Sequence, residues 1–485
     1  MAGGLKHKVL SGIFWQGLGN IGGKGLNFLV SVILARLLAP EDFGSVALLM
    51  IFISIGEVFV DSGFSNALIQ KKDADDIDCS SVFYINILIS AALYLGFFVA
   101  APWIARFYRN PDLTLWFRCL ALGTVIRSLS LVQSALLNKR MLFRFAFQIS
   151  LGALIVSGTV GIVMAYRGFG VWALIAQQLT NAALTGLLLW LLVRWRPRAV
   201  FAWDRLRTLF RFGSKLLATS LLDSVFNNLF GMIVGRLFNV STLAYYNRGR
   251  QIPATGMSVI NSTIGSVVFP AFSEIQNDRP RMFRMARKSL KVTMFFVCPA
   301  MGALALLARP LVLALLTEKW LPSVVFLRLS CLIFVVWPLH TLNLQVIVAC
   351  GRSDIMLILE FIKKVQTVAV LLLSYPFGVE TMVAAMAVNG MLCAVENALP
   401  NRKLIGYSPL TQLGDLLPFL LWSGIAAVPV ALAASFRSPG SPWLRFFAGL
   451  LLYGAFYFAG NLLTRSIPAE ISELGRRVRG VHHAG

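Results

Sequence analysis

The chain has 485 residues, 57% of them hydrophobic and 13% charged, with 44 Lys and Arg against 21 Asp and Glu and a formal net charge of +23. A soluble protein carries about 25% charged residues, so two or three water-soluble domains could not be covered with this little polar material. Composition excludes that arrangement, and the mean hydropathy of +0.74 requires a large apolar surface that faces lipid.

Apolar runs of about 20 residues or more recur along the chain, each long enough to cross roughly 30 Å of hydrocarbon. Fourteen membrane spans are predicted, over residues 9–38, 44–70, 80–107, 113–138, 143–166, 168–194, 209–238, 241–272, 286–308, 322–350, 354–375, 377–400, 412–435 and 442–465. The seventh and eighth are the most polar. The first run is too long for the apolar part of a secretory signal, and no small-residue cleavage pattern follows it.

The first run opens with GLGNIGGKGLNF, residues 17–28. Gly17, Gly19 and Gly22 fit G-x-G-x-x-G, and Glu41 and Asp42 follow about twenty residues later, where a dinucleotide fold places its acid. Such a fold needs a second strand ending at that acid. Here the chain stays apolar until Pro40, which leaves no room for one. Pro40 suits the first turn of the next helix, with Glu41 and Asp42 at its positive end. In membrane helices glycine permits close contact or bending. The density at Gly17, Gly19, Gly22, Gly23 and Gly25 predicts a hinge.

After the second span comes DADDIDC, residues 73–79. Its D-x-D spacings could hold a metal–nucleotide sugar, but it follows Lys71 and Lys72 in a short loop and reads as a solvated helix start. The six cysteines, Cys79, Cys119, Cys298, Cys331, Cys350 and Cys393, have no C-x-x-C pairing, so neither disulfide nor metal site is predicted. His340 is alone in the tenth span and reads as a satisfied interior side chain. No cofactor is implied.

Alternating the loops from the N-terminus puts twenty-nine basic residues on one side and nine on the other. That bias supports fourteen spans with both termini in the cytoplasm. It also accounts for the net charge through anionic lipid, without nucleic acid.

The chain repeats itself. NFLVSVILARLLAPEDFGSVAL begins at Asn27 and NNLFGMIVGRLFNVSTLAYY at Asn227, so that at an offset of 200 Asn27, Arg36 and Leu37 match Asn227, Arg236 and Leu237. Six spans separate the copies, which are therefore parallel. The predicted organisation is all-α and integral to the membrane: an N-lobe over 1–195, a cytoplasmic linker over 196–208, a C-lobe over 209–400, a helix pair over 401–465 and a cytoplasmic tail over 466–485.

A charge at the centre of a span costs about 2.5–3.5 kcal/mol on insertion scales, so it should face a cavity or a partner. Lys24, Arg127, Arg248 and Arg250 are read as lining a cationic cavity between the lobes. Glu57, Asp61, Asp223, Glu360, Lys363 and Lys364 are read as ion-coupling groups or as ion pairs within it. Glu57 and Asp61 share a helix face, and Glu360 stands three and four residues before Lys363 and Lys364. Glu396 and Arg118 are further charges within spans.

LARLLAPEDFGSVAL, AYYNRGRQIP and LILEFIKKVQTVAVLLLSYPFGV resemble the polysaccharide transporters of the MOP superfamily. These are the Wzx-type flippases of lipid-linked oligosaccharides, often named lipopolysaccharide biosynthesis proteins, and the branch with the colanic acid exporter is the most similar. The resemblance spans nearly the whole chain. It implies outward movement of an undecaprenyl-diphosphate-linked repeat unit by alternating access, with no covalent chemistry. A polysaccharide polymerase and a chain-length regulator are the implied partners, besides membrane lipids. Two other classes stay open. One is a multidrug antiporter of the same superfamily, for which acidic cavity residues are expected. The other is a membrane glycosyltransferase or polymerase, which needs a larger extramembrane loop than this chain offers.

Overall fold

A computed structural model describes residues 22–61, 68, 75–140, 142–435, 441–464 and 466–468, without the side chains at 61, 208–213, 215–216, 262–263, 266–267 and 434–435. Gly17, Gly19, Asp73 and the side chain of Asp61 lie outside that description. Among the described residues the regular elements are all helical.

In chain order they are α1 (22–37), α2 (Pro40–Asp61), α3 (Asp76–Phe107), α4 (Leu113–Ser128), α5 (Leu131–Lys139), α6 (Phe143–Tyr166), α7 (Val171–Leu192), α8 (Trp203–Leu237) and α9 (Val240–Glu274). There follow α10 (Arg279–Leu306), α11 (Ala308–Leu315), α12 (Ser323–Val335), α13 (Trp337–Ala349), α14 (Ser353–Ser374), α15 (Val379–Ile405), α16 (Pro409–Ser435) and α17 (Pro442–Leu463).

Among the described residues ten helical stretches are long and apolar enough to cross a bilayer, with α12 and α13 together forming one of them. The bent pair α4 and α5, which meet at 46°, makes an eleventh. The other three expected spans coincide with α1, α9 and α14. Of these α1 is described only from residue 22, while α9 carries Arg248 and Arg250 and α14 carries Glu360, Lys363 and Lys364. Fourteen spans are consistent with this set. Large apolar side chains such as Leu95, Trp103, Leu191, Leu357 and Leu451 point outward, as in a multi-pass membrane protein whose surroundings are apolar.

The chain divides into two compact units, residues 1–244 and 245–485. In the first, α6 packs on α7, α3 on α4, and α2 on α4, α7 and α8. Close approach rather than bulk sets the α2 contacts: a Cβ at Gly56 would lie 2.3 Å from the Phe97 ring.

In the second unit α10 is central, touching α12, α13 and α16, and α17 covers α16. Its core includes the fully buried Phe295, Phe419, Tyr453 and Tyr457. Each tyrosine hydroxyl is satisfied there: Tyr457 donates to the Phe295 carbonyl at 2.9 Å and Tyr453 to the Ser423 carbonyl at 3.0 Å. In hydrocarbon an unsatisfied polar group costs several kcal/mol (about 2–7), so these bonds let aromatic bulk be buried without that penalty.

The two halves of the sequence repeat fold alike. Each is a helix that ends at Leu37 or Leu237, a two-residue break, and a new helix from Pro40 or Val240. Both breaks are bridged by a side chain between the same pair of positions, 39 and 42 or 239 and 242, with donor and acceptor exchanged. Asp42 accepts from the Ala39 N–H at 2.9 Å, and Asn239 accepts from the Thr242 N–H at 2.7 Å. The start of α9 then meets the start of α2, where Ser241 donates to Glu41 at 2.8 Å.

Candidate functional site

In the first unit α2 and α4 bring Glu57 and Arg127 together at 2.9 Å, with Arg127 half exposed and Glu57 19% exposed. One turn before Glu57, Ser54 accepts from Asn228 of α8 at 3.1 Å. The three helices therefore share a polar strip inside apolar spans. Lys24 on α1 and Asp223 on α8 are exposed, and each takes part in a polar or charged interaction.

The glycines of α1 differ among themselves. Gly22 faces the Phe147 ring, where a Cβ would come to 3.8 Å, while Cβ atoms at Gly23 and Gly25 would meet nothing within 4 Å. Among the described residues, therefore, close helix contact gives no reason for glycine at 23 and 25.

In the second unit Arg248 and Arg250 of α9 separate in role. Arg248 is 7% exposed. It donates to Gln251 at 2.8 Å and its guanidinium lies 5.4 Å from the centre of the Trp320 ring. Arg250 is exposed, with its guanidinium 6.0 Å from the Phe334 ring. Between them Gly249 lets α9 touch α12, since a Cβ there would lie 2.6 Å from the Leu327 nitrogen and 2.7 Å from the Ser323 carbonyl. Arg248 is thus held in the packing and Arg250 presented from it.

A second polar strip joins α13, α14 and α15. Lys363 donates to Glu360 at 2.5 Å, as their spacing allows, and is only 14% exposed. One turn on, Gln366 donates to Glu396 and accepts from the Cys393 thiol at 3.4 Å. His340 lies 2.9 Å from the Asn397 amide, so it has the interior partner expected of it. Lys364 is half-buried and also engaged in an interaction. Among the described residues no group of three His, Cys, Asp or Glu side chains could hold a metal ion.

The acidic segment before α3 is more than a solvated helix start. Asp75 and Asp78 form a reciprocal capping box, which satisfies two free backbone donors of α3. Arg205 pairs with Asp75 and Arg198 reaches Asp76 at 2.8 Å. The Arg198 and Ala202 N–H groups donate to Ser80 and Ser81, each at 3.0 Å. The basic stretch ahead of α8 is thereby fastened to the start of α3. The Asp78 N–H and the Arg205 guanidinium hold the Asp75 carboxyl at about 2, below its ordinary 3.8. The Asp75-x-x-Asp78 spacing carried this signal, but its basic partner lies 130 residues away.

Comparison with known proteins places these features in a family. A family model described as "Polysaccharide biosynthesis protein" matches residues 33–325. The chain is 27% identical to the succinoglycan biosynthesis transport protein ExoT of Rhizobium meliloti over 88% of this chain and 84% of that one. It is 25% identical to the lipopolysaccharide biosynthesis protein WzxC of Escherichia coli, over 68% and 67%. Among solved structures, the lipid II flippase MurJ in an inward closed conformation superposes with a TM-score of 0.73 at 15% identity, covering 94% of this chain and 99% of that one. That likeness is one of fold.

Proposed function

The chain belongs to the polysaccharide biosynthesis protein family, and from that premise we propose that it is a flippase for a lipid-linked oligosaccharide. Its cargo is an undecaprenyl-diphosphate-linked repeat unit, moved from the cytoplasmic to the periplasmic leaflet of a bacterial inner membrane for surface polysaccharide assembly. Alternating access moves it, without covalent chemistry. Both termini are cytoplasmic in this reading. The lobes, linker and terminal pair keep the boundaries given by the sequence. A polymerase and a chain-length regulator receive the exported unit.

The observation that carries the proposal is the polar and charged strip within the spanning helices of each unit: Glu57 with Arg127, and Arg250 beside the packed Arg248. A diphosphate and its sugars cannot cross hydrocarbon unaided, and a span-embedded cation is costly unless it serves a polar ligand or partner. Arg127, Arg250 and Lys24 would meet the diphosphate, with Arg248 holding α9 in place. Glu57, Asp61, Asp223, Glu360, Lys363 and Lys364 would take the coupling or ion-pair roles. Gly17, Gly19, Gly22, Gly23 and Gly25 would let the first helix bend. Cations outweighing acids at these positions favour an anionic cargo over the cationic drugs of an antiporter.

Each charge moved across 100 mV is worth about 2.3 kcal/mol. A doubly negative head leaving a negative cytoplasm therefore gains about 4–5 kcal/mol, so the membrane potential contributes to the driving force. The proposal is tested by expression in a strain lacking its own flippase. Restored surface polysaccharide supports it, and accumulated lipid-linked precursor despite full expression counts against it.

A further inference from the structure

At one end of the second unit, away from the span-embedded charges, lie two adjoining basic cavities. The first, of about 590 Å³, is walled by Arg279 and Arg284 of α10 and by Arg402 and Lys403 at the end of α15. The second, of about 520 Å³, is walled by Arg284, Arg287 and Lys291 of α10, by Asp415 of α16 and by the chain just after α17. Phe283 and Arg284 belong to both.

The charges are unevenly matched. Asp415 is the acid of the second cavity and is fully engaged. It accepts two bonds of 2.7 Å from Arg287, pairs with Lys291 at 3.0 Å and accepts from Tyr407 at 3.0 Å. Arg279, Arg284, Arg402 and Lys403 have no ion pair among the described residues, and all four are exposed. Four like charges around one cavity repel one another unless an anion sits among them. Phe283, Pro418 and Phe419 add apolar surface to the lining. Cations lining cavities that also present apolar side chains, at the ends of spanning helices, match a phospholipid whose headgroup sits among the charges and whose chains follow the helices.

We propose that these two cavities form a binding site for an anionic phospholipid of the leaflet at that end, one whose headgroup carries two phosphates, as cardiolipin does. Two adjoining basic cavities bridged by Arg284 accommodate two phosphates better than one. The ordered Arg287–Asp415–Tyr407 cluster fixes one wall in place. The site draws its described walls from the second unit alone and goes beyond the transport reading: it ties the unit to its lipid surroundings whatever glycan is moved.

The full-length protein in phosphatidylcholine nanodiscs is supplied with cardiolipin or phosphatidylglycerol, and retained lipid is measured by native mass spectrometry. Cardiolipin should be retained in preference to both other lipids. The combined Arg279→Gln, Arg284→Gln and Arg402→Gln variant should lose at least about fivefold of that retention. Arg309→Gln with Arg445→Gln should leave it unchanged. Should the triple variant not fold, Arg402→Gln with Lys403→Gln, both exposed, reports on the first cavity. Equal retention of all lipids, or unaltered retention in the variants, overturns the proposal. Undecaprenyl diphosphate held through the same arginines in place of cardiolipin would assign the site to substrate. Equal thermal stabilisation by inorganic phosphate would assign it to a free ion. Both outcomes overturn it, and none of these readings depends on whether the protein transports.

Discussion

Ser241 donates a hydrogen bond to Glu41 across 2.8 Å, although 200 residues separate them. That separation is the offset of the sequence repeat, so the two residues hold equivalent positions at the starts of α2 and α9. The backbones are close at the same place, where a Cβ at Gly44 would lie 1.9 Å from the Val240 carbonyl oxygen. If transport requires α2 and α9 to separate there, a Glu41→Cys, Ser241→Cys pair should stop export when oxidised and regain it when reduced. Export that continues in the fully cross-linked protein, with cross-linking scored on gels, would show that this contact need not open.

Glu57 and Arg127 pair within spans at 2.9 Å. Loss of either leaves the other charge in an apolar helix, yet Arg127 is half exposed and screened accordingly. Each single neutralisation, Glu57→Gln or Arg127→Gln, should cost about 1 kcal/mol of stability, and the double change should cost less than the sum. Thermal unfolding in detergent gives the coupling. Export by Arg127→Gln should fall further than by the double variant's stability alone, because the cation is assigned to cargo.

Asp75 caps α3 and binds Arg205. Its folded carboxyl titrates at about 2 and its ordinary value is 3.8. A depressed acid lends stability that is fully present above the unfolded value and is lost as pH falls through the folded one. Stability from this group should be level above pH 5 and drop between about pH 4 and pH 2, and Asp75→Asn should remove that portion of the profile. Asp75→Ala should cost about 1 kcal/mol, the usual effect of losing an N-cap. Export per folded molecule should hardly change, since the segment fastens a connection and does no chemistry.

Among the described residues nothing stands within 4 Å of a Cβ at Gly23 or Gly25 of α1, whereas Gly249 has the α12 backbone within 3 Å of that point. Gly249→Ala should therefore lower the yield of folded protein. Gly23→Ala with Gly25→Ala should be accepted and stiffen α1, each change favouring helix by about 1 kcal/mol. If α1 is a hinge, the double variant keeps normal abundance and thermal stability while export falls. Unchanged export would show that bending there is not used.

Much of this was legible in the sequence because lipid imposes a simple rule. A spanning helix needs about 20 apolar residues, so runs such as 143–166 and 442–465 could be read nearly to the residue against α6 and α17. The repeat was legible because its two breaks keep the same register. The pairing of charges was less so. Glu360 and Lys363 are one helical turn apart and could be foreseen, but Arg287 and Asp415 are 128 residues apart, and no local pattern joins them. Arg248 and Arg250 look alike in the chain. Only the packing of α9 through Gly249 separates the buried guanidinium from the presented one.

The most direct test is flipping in sealed vesicles that contain the purified protein and undecaprenyl-diphosphate-linked oligosaccharide, with the potential clamped and no ion gradient. The account predicts protein-dependent appearance of the glycan in the opposite leaflet, faster when the destination side is positive and slower in Arg127→Gln and Arg250→Gln. Movement no faster than in protein-free vesicles would contradict it.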